Sequence, residues 1–219
     1  MGHTYVRWWR GSADRPPPSA PASWRNTRFL VVDLETTGLD PRSDQIVSYG
    51  SVPIIGGRYR PADASYGLVA CRRPIPGGAI RIHTIRDQDL VGAPPLSDCV
   101  RILDEQLRGS VLVAHSAGIE RAFLGRAFRA HGAILDCPVV DTEQLARMVL
   151  DIDHGAGKSV GLEEIATILG LPIQQPHHAL GDALTTATLF LAVVSKLEQR
   201  GPVTTSTILA YSDARLFRD

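Results

Sequence analysis

A chain of 219 residues, 44% apolar and 21% charged, is long enough for one core-forming domain with extensions and too mixed in composition for a fibrous or disordered protein. Its 23 basic and 23 acidic residues cancel, so no global positive field draws in long nucleic acid and any such binding is local. The cysteines Cys71, Cys99 and Cys137 are too scattered for a zinc pattern or a disulfide framework, no run approaches the ~18 apolar residues of a membrane span, and the start lacks a secretory apolar core; a cytoplasmic protein with no membrane contact is expected.

Residues 1–26 are rich in Pro, Ser and Ala and read as a flexible extension. Four arginines (Arg7, Arg10, Arg15, Arg25) stand there against one aspartate, beside Trp8 and Trp9. Such a tail could stack on single-stranded bases, dock on its own domain or recruit a partner. From 27 to 199 the pattern is compact. Strands are expected at 28–34, 45–55 and 59–71, followed by a helix at 96–108, a strand at 110–115, a helix at 117–131 and a strand at 138–141. Helices near 142–150, 162–169 and 181–199 complete the domain. This order predicts an α/β protein with a mixed central sheet flanked by helices. Residues 200–219 form a tail in which "VTTSTILAY" could be a strand. The run "HGAGKS" at 154–159 imitates a phosphate-binding loop, but Ile152 stands where the first glycine is required and no strand leads in. It is better read as a turn opening the next helix.

Chemistry-bearing residues begin at "FLVVDLETTGLDP" (29–41). Residues two apart in a strand share a face, so Asp33 and Glu35 stand side by side at the end of a core element. Like charges that close resist joint ionisation. Projected as a helix, 117–131 places Glu120 in the middle of an apolar face made by Ile119, Phe123, Leu124 and Ala127. On position alone it is either a functional acid or a satisfied core acid near a helix start. Asp182 opens the 181–199 helix on its core side, where an acid favoured by the helix dipole is the common explanation. His177 and His178 precede it in a loop. Taken together, the four acids make a cage of hard oxygen ligands suited to Mg²⁺ or Mn²⁺.

The segments "FLVVDLETTGLDP", "VLVAHSAGIERAFL" (111–124) and "HHALGDA" (177–183) resemble, in order and spacing, the three motifs of the DEDDh or DnaQ-like 3′→5′ exonucleases. This is the group of the epsilon proofreading subunit of DNA polymerase III and of RNase T-type exonucleases. "VVDTEQLAR" (139–147) and "GLEEIATILGLP" (161–172) resemble the segments between the second and third motifs, so the likeness spans about 27–197. It implies a ribonuclease H-like fold and two-metal phosphodiester hydrolysis with Mg²⁺ or Mn²⁺, releasing 5′-mononucleotides from a single-stranded 3′ end. By position, Asp33, Glu35, Glu120 and Asp182 look like the metal ligands and His177 like the general base, with His178 on a variable position. Thr36, Thr37 and Leu39 match the stretch that cradles the terminal nucleotide, and His83 in "IHTI" resembles the histidine beside it.

One motif departs from the pattern. The family usually carries Asn and then Phe-Asp where this chain has Ser116 and Ile119-Glu120. Glutamate keeps the charge but lengthens the side chain by a methylene. The resemblance implies a role in DNA replication or repair, with a polymerase or repair partner or a second copy of the chain, and leaves DNA and RNA open as substrates. Two readings from other classes stand beside the enzyme: an exonuclease-fold binding module that has lost turnover, and a scaffold recruited through the Trp/Arg extension.

Overall fold

The computed structural model describes residues 22–152 and 158–213. Among these, six strands form one mixed sheet in the order β3-β2-β1-β5-β6, with β4 also on β2. The strands are β1 (Arg28–Thr36), β2 (Ile46–Ile55), β3 (Arg58–Tyr59), β4 (Ser65–Leu68), β5 (Ser110–Ala114) and β6 (Val139–Asp141). β1 is antiparallel to β2 and parallel to β5, which is parallel to β6. The helices are α1 (Gly77–His83), α2 (Leu96–Leu107), α3 (Gly118–Ala130), α4 (Thr142–Leu150), α5 (Leu162–Ile168), α6 (Ala179–Glu198) and α7 (Thr205–Ser212).

The period-2 alternation of β1 divides the core into two layers. Phe29 and Val31 face a cluster with Leu145, Ile165, Leu189, Phe190 and Val193 from α4, α5 and α6. Leu30, Val32 and Leu34 face Leu103, Phe123, Leu124 and Phe128 from α2 and α3. Each large side chain buried in these layers contributes about 1.5–3 kcal/mol of transfer free energy. α6 is also long and apolar enough, by length and composition, to cross a membrane. Its packing against β1 and β2 accounts for that apolarity here.

Most expected elements form, with four differences. The run at 59–71 is not one strand, because Pro61 lacks the amide a ladder needs and starts a turn at Pro61–Asp63 between β3 and β4. The short helix α1 was not anticipated; it opens on Gly77-Gly78, poor helix formers, and is held through buried His83. The tail segment "VTTSTILAY" carries helix α7, not a strand. The Thr204 hydroxyl caps it by accepting from the Thr207 amide at 3.0 Å, and Ile208 is buried in the core, so tertiary docking overrides the β propensity of its threonines.

The fourth difference is the domain boundary. Trp24, placed by sequence in the extension, is only 2% exposed and packs edge-on against Phe29 and Phe190, with ring centroids 6.1 Å away in each case. Its indole N–H donates to Glu198 at 2.8 Å, and Arg25 pairs with the same carboxylate. The Thr27 and Thr205 hydroxyls are 2.6 Å apart, and Ser23 bridges to Thr204. The folded body therefore includes residues on both sides of the 27–199 span. Trp8, Trp9, Arg7, Arg10, Arg15 and most of "HGAGKS" lie outside the described residues.

Candidate active site

The alternation that puts Phe29 and Val31 toward α6 carries Asp33 and Glu35 to the same side. β5 accompanies β1 only as far as the pair Val31–Val113 and then leaves for α3. β1 runs on beyond it, which opens a crevice at the carboxyl end of the strand, where α/β sheets bind ligands. A register shift between Glu35 and Thr36 kinks β1 at the same place, as bulges near functional sites do.

Asp182 descends into the crevice from the first turn of α6. One carboxylate oxygen each from Asp33, Glu35 and Asp182 lies within 4.8 Å of the other two. Glu120, on the first turn of α3, is outside this tight group but 6% exposed, and its Oε2 has no hydrogen-bond partner. Among the described residues, none of the four forms an ion pair with a lysine or arginine.

The electrostatics register this crowding. Burial pushes the Asp33 carboxyl well above its usual range, followed by the charges of Glu120, Asp182 and Glu35. Burial, then Asp182, raises Glu35 to about 7. Glu120 is raised to about 8, by burial first, with its own backbone N–H opposing and Asp141 and Glu35 adding. Asp182 rises to about 6 through burial, moderated by its hydrogen bond from His177. Four acids with pKa values raised above the usual carboxylate range, one of them with an orphaned buried oxygen, form a donor set that fits a hard divalent ion.

The two histidines differ in role. The His177 amide donates to Asp182 Oδ2 at 3.0 Å, while its exposed imidazole lies 3.8 Å from Glu163 Oε1 on α5 rather than against the acids. His178 caps α6, its Nδ1 accepting from the Gly181 amide at 3.4 Å, and stacks on Tyr66. His83 is buried; its Nδ1 accepts from the Ile85 amide at 3.1 Å and its Nε2 is unpartnered. Burial depresses its pKa, with the Thr36 backbone pulling the other way, so the neutral ring sits next to the end of β1. The hydroxyls of Thr36 and Thr37 are engaged within the loop, Thr36 donating to the Gly38 carbonyl at 2.6 Å and Thr37 to Asp44 at 3.0 Å. Leu39 is left 74% exposed above them. The structure thus gathers the acids, Thr36, Thr37 and His83 around one strand end, with the His177 ring at its rim.

Sequence reasoning missed the support beneath α3. Ser116, at φ +54, donates to Glu143 Oε2 at 2.6 Å; Ser159 and the Val160 amide also donate to this carboxylate. These bonds hold Glu143 ionised despite its burial, with its pKa below the usual value. Asp141 caps α4 and accepts from the Ala117 amide at 3.0 Å, fixing the start of the helix that carries Glu120. The acids in "VVDTEQLAR" were visible, but only the turn into α3 shows what they hold.

A family model described as RNase_T exonuclease matches residues 30–190. The "DNA polymerase III subunit epsilon-like protein" of Rhodobacter capsulatus is 35% identical over 87% of this chain, which spans 27% of that relative. The "DNA polymerase III PolC-type" of Thermotoga maritima is 30% identical over 82% of the chain, which spans 13% of it. The "3'-5' exonuclease DinG" of Bacillus subtilis is 30% identical over 78% of the chain, which spans 18% of it. Among solved structures, Exonuclease X in complex with 5′ overhanging duplex DNA aligns with a TM-score of 0.65 and 24% identity, covering 84% of this chain and 99% of that one. E. coli Exonuclease I in complex with a dT13 oligonucleotide aligns with a TM-score of 0.68 and 13% identity, covering 80% and 42%. These structural likenesses identify the fold as ribonuclease H-like. With the match running from the first acidic strand through α6, the chain belongs to the RNase_T exonuclease family.

Proposed function

We propose that this domain is a metal-dependent 3′→5′ exonuclease acting on a single-stranded 3′ end. The observation that carries the reading is the meeting of Asp33, Glu35 and Asp182 oxygens within 4.8 Å at the open end of β1. Asp33, Glu35 and Asp182 would hold the cations, with Glu120 reaching in from α3. When bound, Mg²⁺ or Mn²⁺ would activate water and neutralise charge developing on the phosphate. His177 would take the proton of the attacking water once its ring turns from Glu163 toward the crevice, a rotation its exposure leaves room for. The loop built by Thr36, Thr37 and Asp44 presents Leu39 as an apolar face for the terminal nucleotide, with His83 supporting the strand end beneath.

The polarity is supported by the name of the Bacillus relative, and a role beside a DNA polymerase by the names of the Rhodobacter and Thermotoga relatives. The test is a 5′-labelled single-stranded oligonucleotide, DNA and RNA in parallel, with Mg²⁺, Mn²⁺ or EDTA. A metal-dependent ladder shortening from the 3′ end supports the reading; an intact substrate with both metals rejects it. The outward His177 ring and the glutamate at position 120 favour a second reading, a binding module without turnover. That reading predicts retention of the labelled strand with no ladder.

A further inference from the structure

The row of the sheet that contains Asp33 continues across two more strands. Asp33 on β1 pairs with Gly50 on β2, which pairs with Tyr66 on β4. Residues directly opposite in a ladder point to the same face, so all three positions look toward α6. The middle one has no side chain, and a backbone lies in the gap: a Cβ on Gly50 would stand 2.3 Å from the Ala179 carbonyl oxygen and 2.4 Å from the Leu180 nitrogen. The first turn of α6 therefore rests in a trough with Asp33 on one side and Tyr66 on the other.

Tyr66 closes its side by stacking. Its ring lies 4.5 Å from that of His178, with the planes 25° apart. Tyr66 is 39% exposed, and its phenol is raised above its usual pKa by partial burial and by the charge of Glu35. His178 in turn caps α6, and its neighbour His177 is held at φ +60, a left-handed conformation that a non-glycine residue keeps only when its surroundings impose it. On the crevice side that constraint is the bond from the His177 amide to Asp182. Among the described residues, Tyr66 is the ring partner of His178 on the opposite side.

We propose that Tyr66 is a positioning residue of this site, holding His178 and through it the turn that sets His177 and Asp182 over the carboxylates of β1. The proposal rests on the exonuclease reading for its effect on rate, but not for its effect on the turn. Loss of the ring frees the turn. A small misplacement of a proton acceptor costs rate without altering how the strand is gripped.

The experiment compares Tyr66→Phe, which keeps the stack, with Tyr66→Leu, which removes it. The readouts are the ring-proton shifts of His178, amide exchange across residues 177–182, and steady-state kinetics on a single-stranded oligonucleotide with Mg²⁺. In Tyr66→Leu, the His178 protons lose their ring-current displacement, exchange in the turn accelerates, and kcat falls about tenfold with KM within about twofold. Tyr66→Phe restores all three. His178→Ala reproduces the leucine phenotype, and the double variant adds little to either, as expected of residues in one contact. A rise in KM with kcat unchanged would make Tyr66 a substrate contact and overturn the proposal. So would unchanged exchange in the turn of a folded Tyr66→Leu protein. If the wild-type protein cleaves nothing, the exonuclease reading fails while the exchange data still decide whether Tyr66 holds the turn.

Discussion

The His177 amide donates to Asp182 Oδ2 at 3.0 Å, so the residue matched to the general base and one candidate metal ligand share a single turn of backbone. The bond uses the main chain of His177, leaving the imidazole exposed beside Glu163. Replacing the ring therefore spares the carboxylate's support. His177→Ala is expected to keep Mg²⁺-induced stabilisation while lowering kcat by ~10²–10⁴, the usual worth of a general base. A metal titration followed by thermal melting, alongside single-turnover cleavage, checks both halves. A larger loss from His178→Ala than from His177→Ala would reverse the assignment of the third motif.

Glu120 is the acid at which this chain departs from the motif it resembles, and its buried Oε2 lacks a partner. A spare oxygen beside Asp33 and Glu35 is what a ligand to a cation would show. Glu120→Gln is expected to reduce cleavage at saturating oligonucleotide by at least about a hundredfold and to raise the metal concentration needed for half activity. Glu120→Asp recovers only part of the rate, because the start of α3 is fixed by Ser116, Glu143 and Asp141 and cannot follow a shorter side chain. Wild-type rates in Glu120→Gln would make Glu120 a core acid and nothing more.

The acid cluster also predicts how stability follows pH. Asp33, Glu35, Glu120 and Asp182 all have folded-state values raised above those of an unfolded chain, which lie near about 4. Their contribution is fully present below the unfolded value and is lost as pH rises through the folded values, about 6 for Asp182, 7 for Glu35 and 8 for Glu120. In EDTA the melting temperature should fall between pH 5 and 8. Mg²⁺ should restore more at pH 8 than at pH 5, since the cation binds the ionised form. Asp33→Asn should flatten the EDTA profile and abolish cleavage. A metal-free melting temperature that rises across this range would contradict the crowding.

Gly50 is expected to be intolerant despite lying in a strand where larger residues are common. Its missing Cβ makes room for the Ala179 carbonyl, so Gly50→Ala must displace the start of α6, costing roughly 1–3 kcal/mol as overpacking does. The displacement also moves Asp182, so activity should fall further than stability alone explains. Urea unfolding and kcat measured on the same preparation separate the two effects.

The sequence by itself was sufficient for whatever depends on local period and short motifs. Two-residue alternation in β1 placed Asp33 and Glu35 on one face, the apolar stripe of 117–131 turned Glu120 inward, and the segment from His177 to Asp182 located the opening of α6. What only the tertiary structure decided are relations between segments far apart in the chain. Trp24 joins the core because α6 supplies Phe190 and Glu198 opposite it, and the threonine-rich 204–212 becomes α7 because α4 and the core receive its apolar side. Ser116 can hold a left-handed turn because Glu143, 27 residues later, accepts its hydroxyl. Tyr66 and Gly50 reach the site through strand register alone. Period reports which face of an element is buried; the identity of the partner that buries it is set by sheet register and helix docking, which no local pattern encodes.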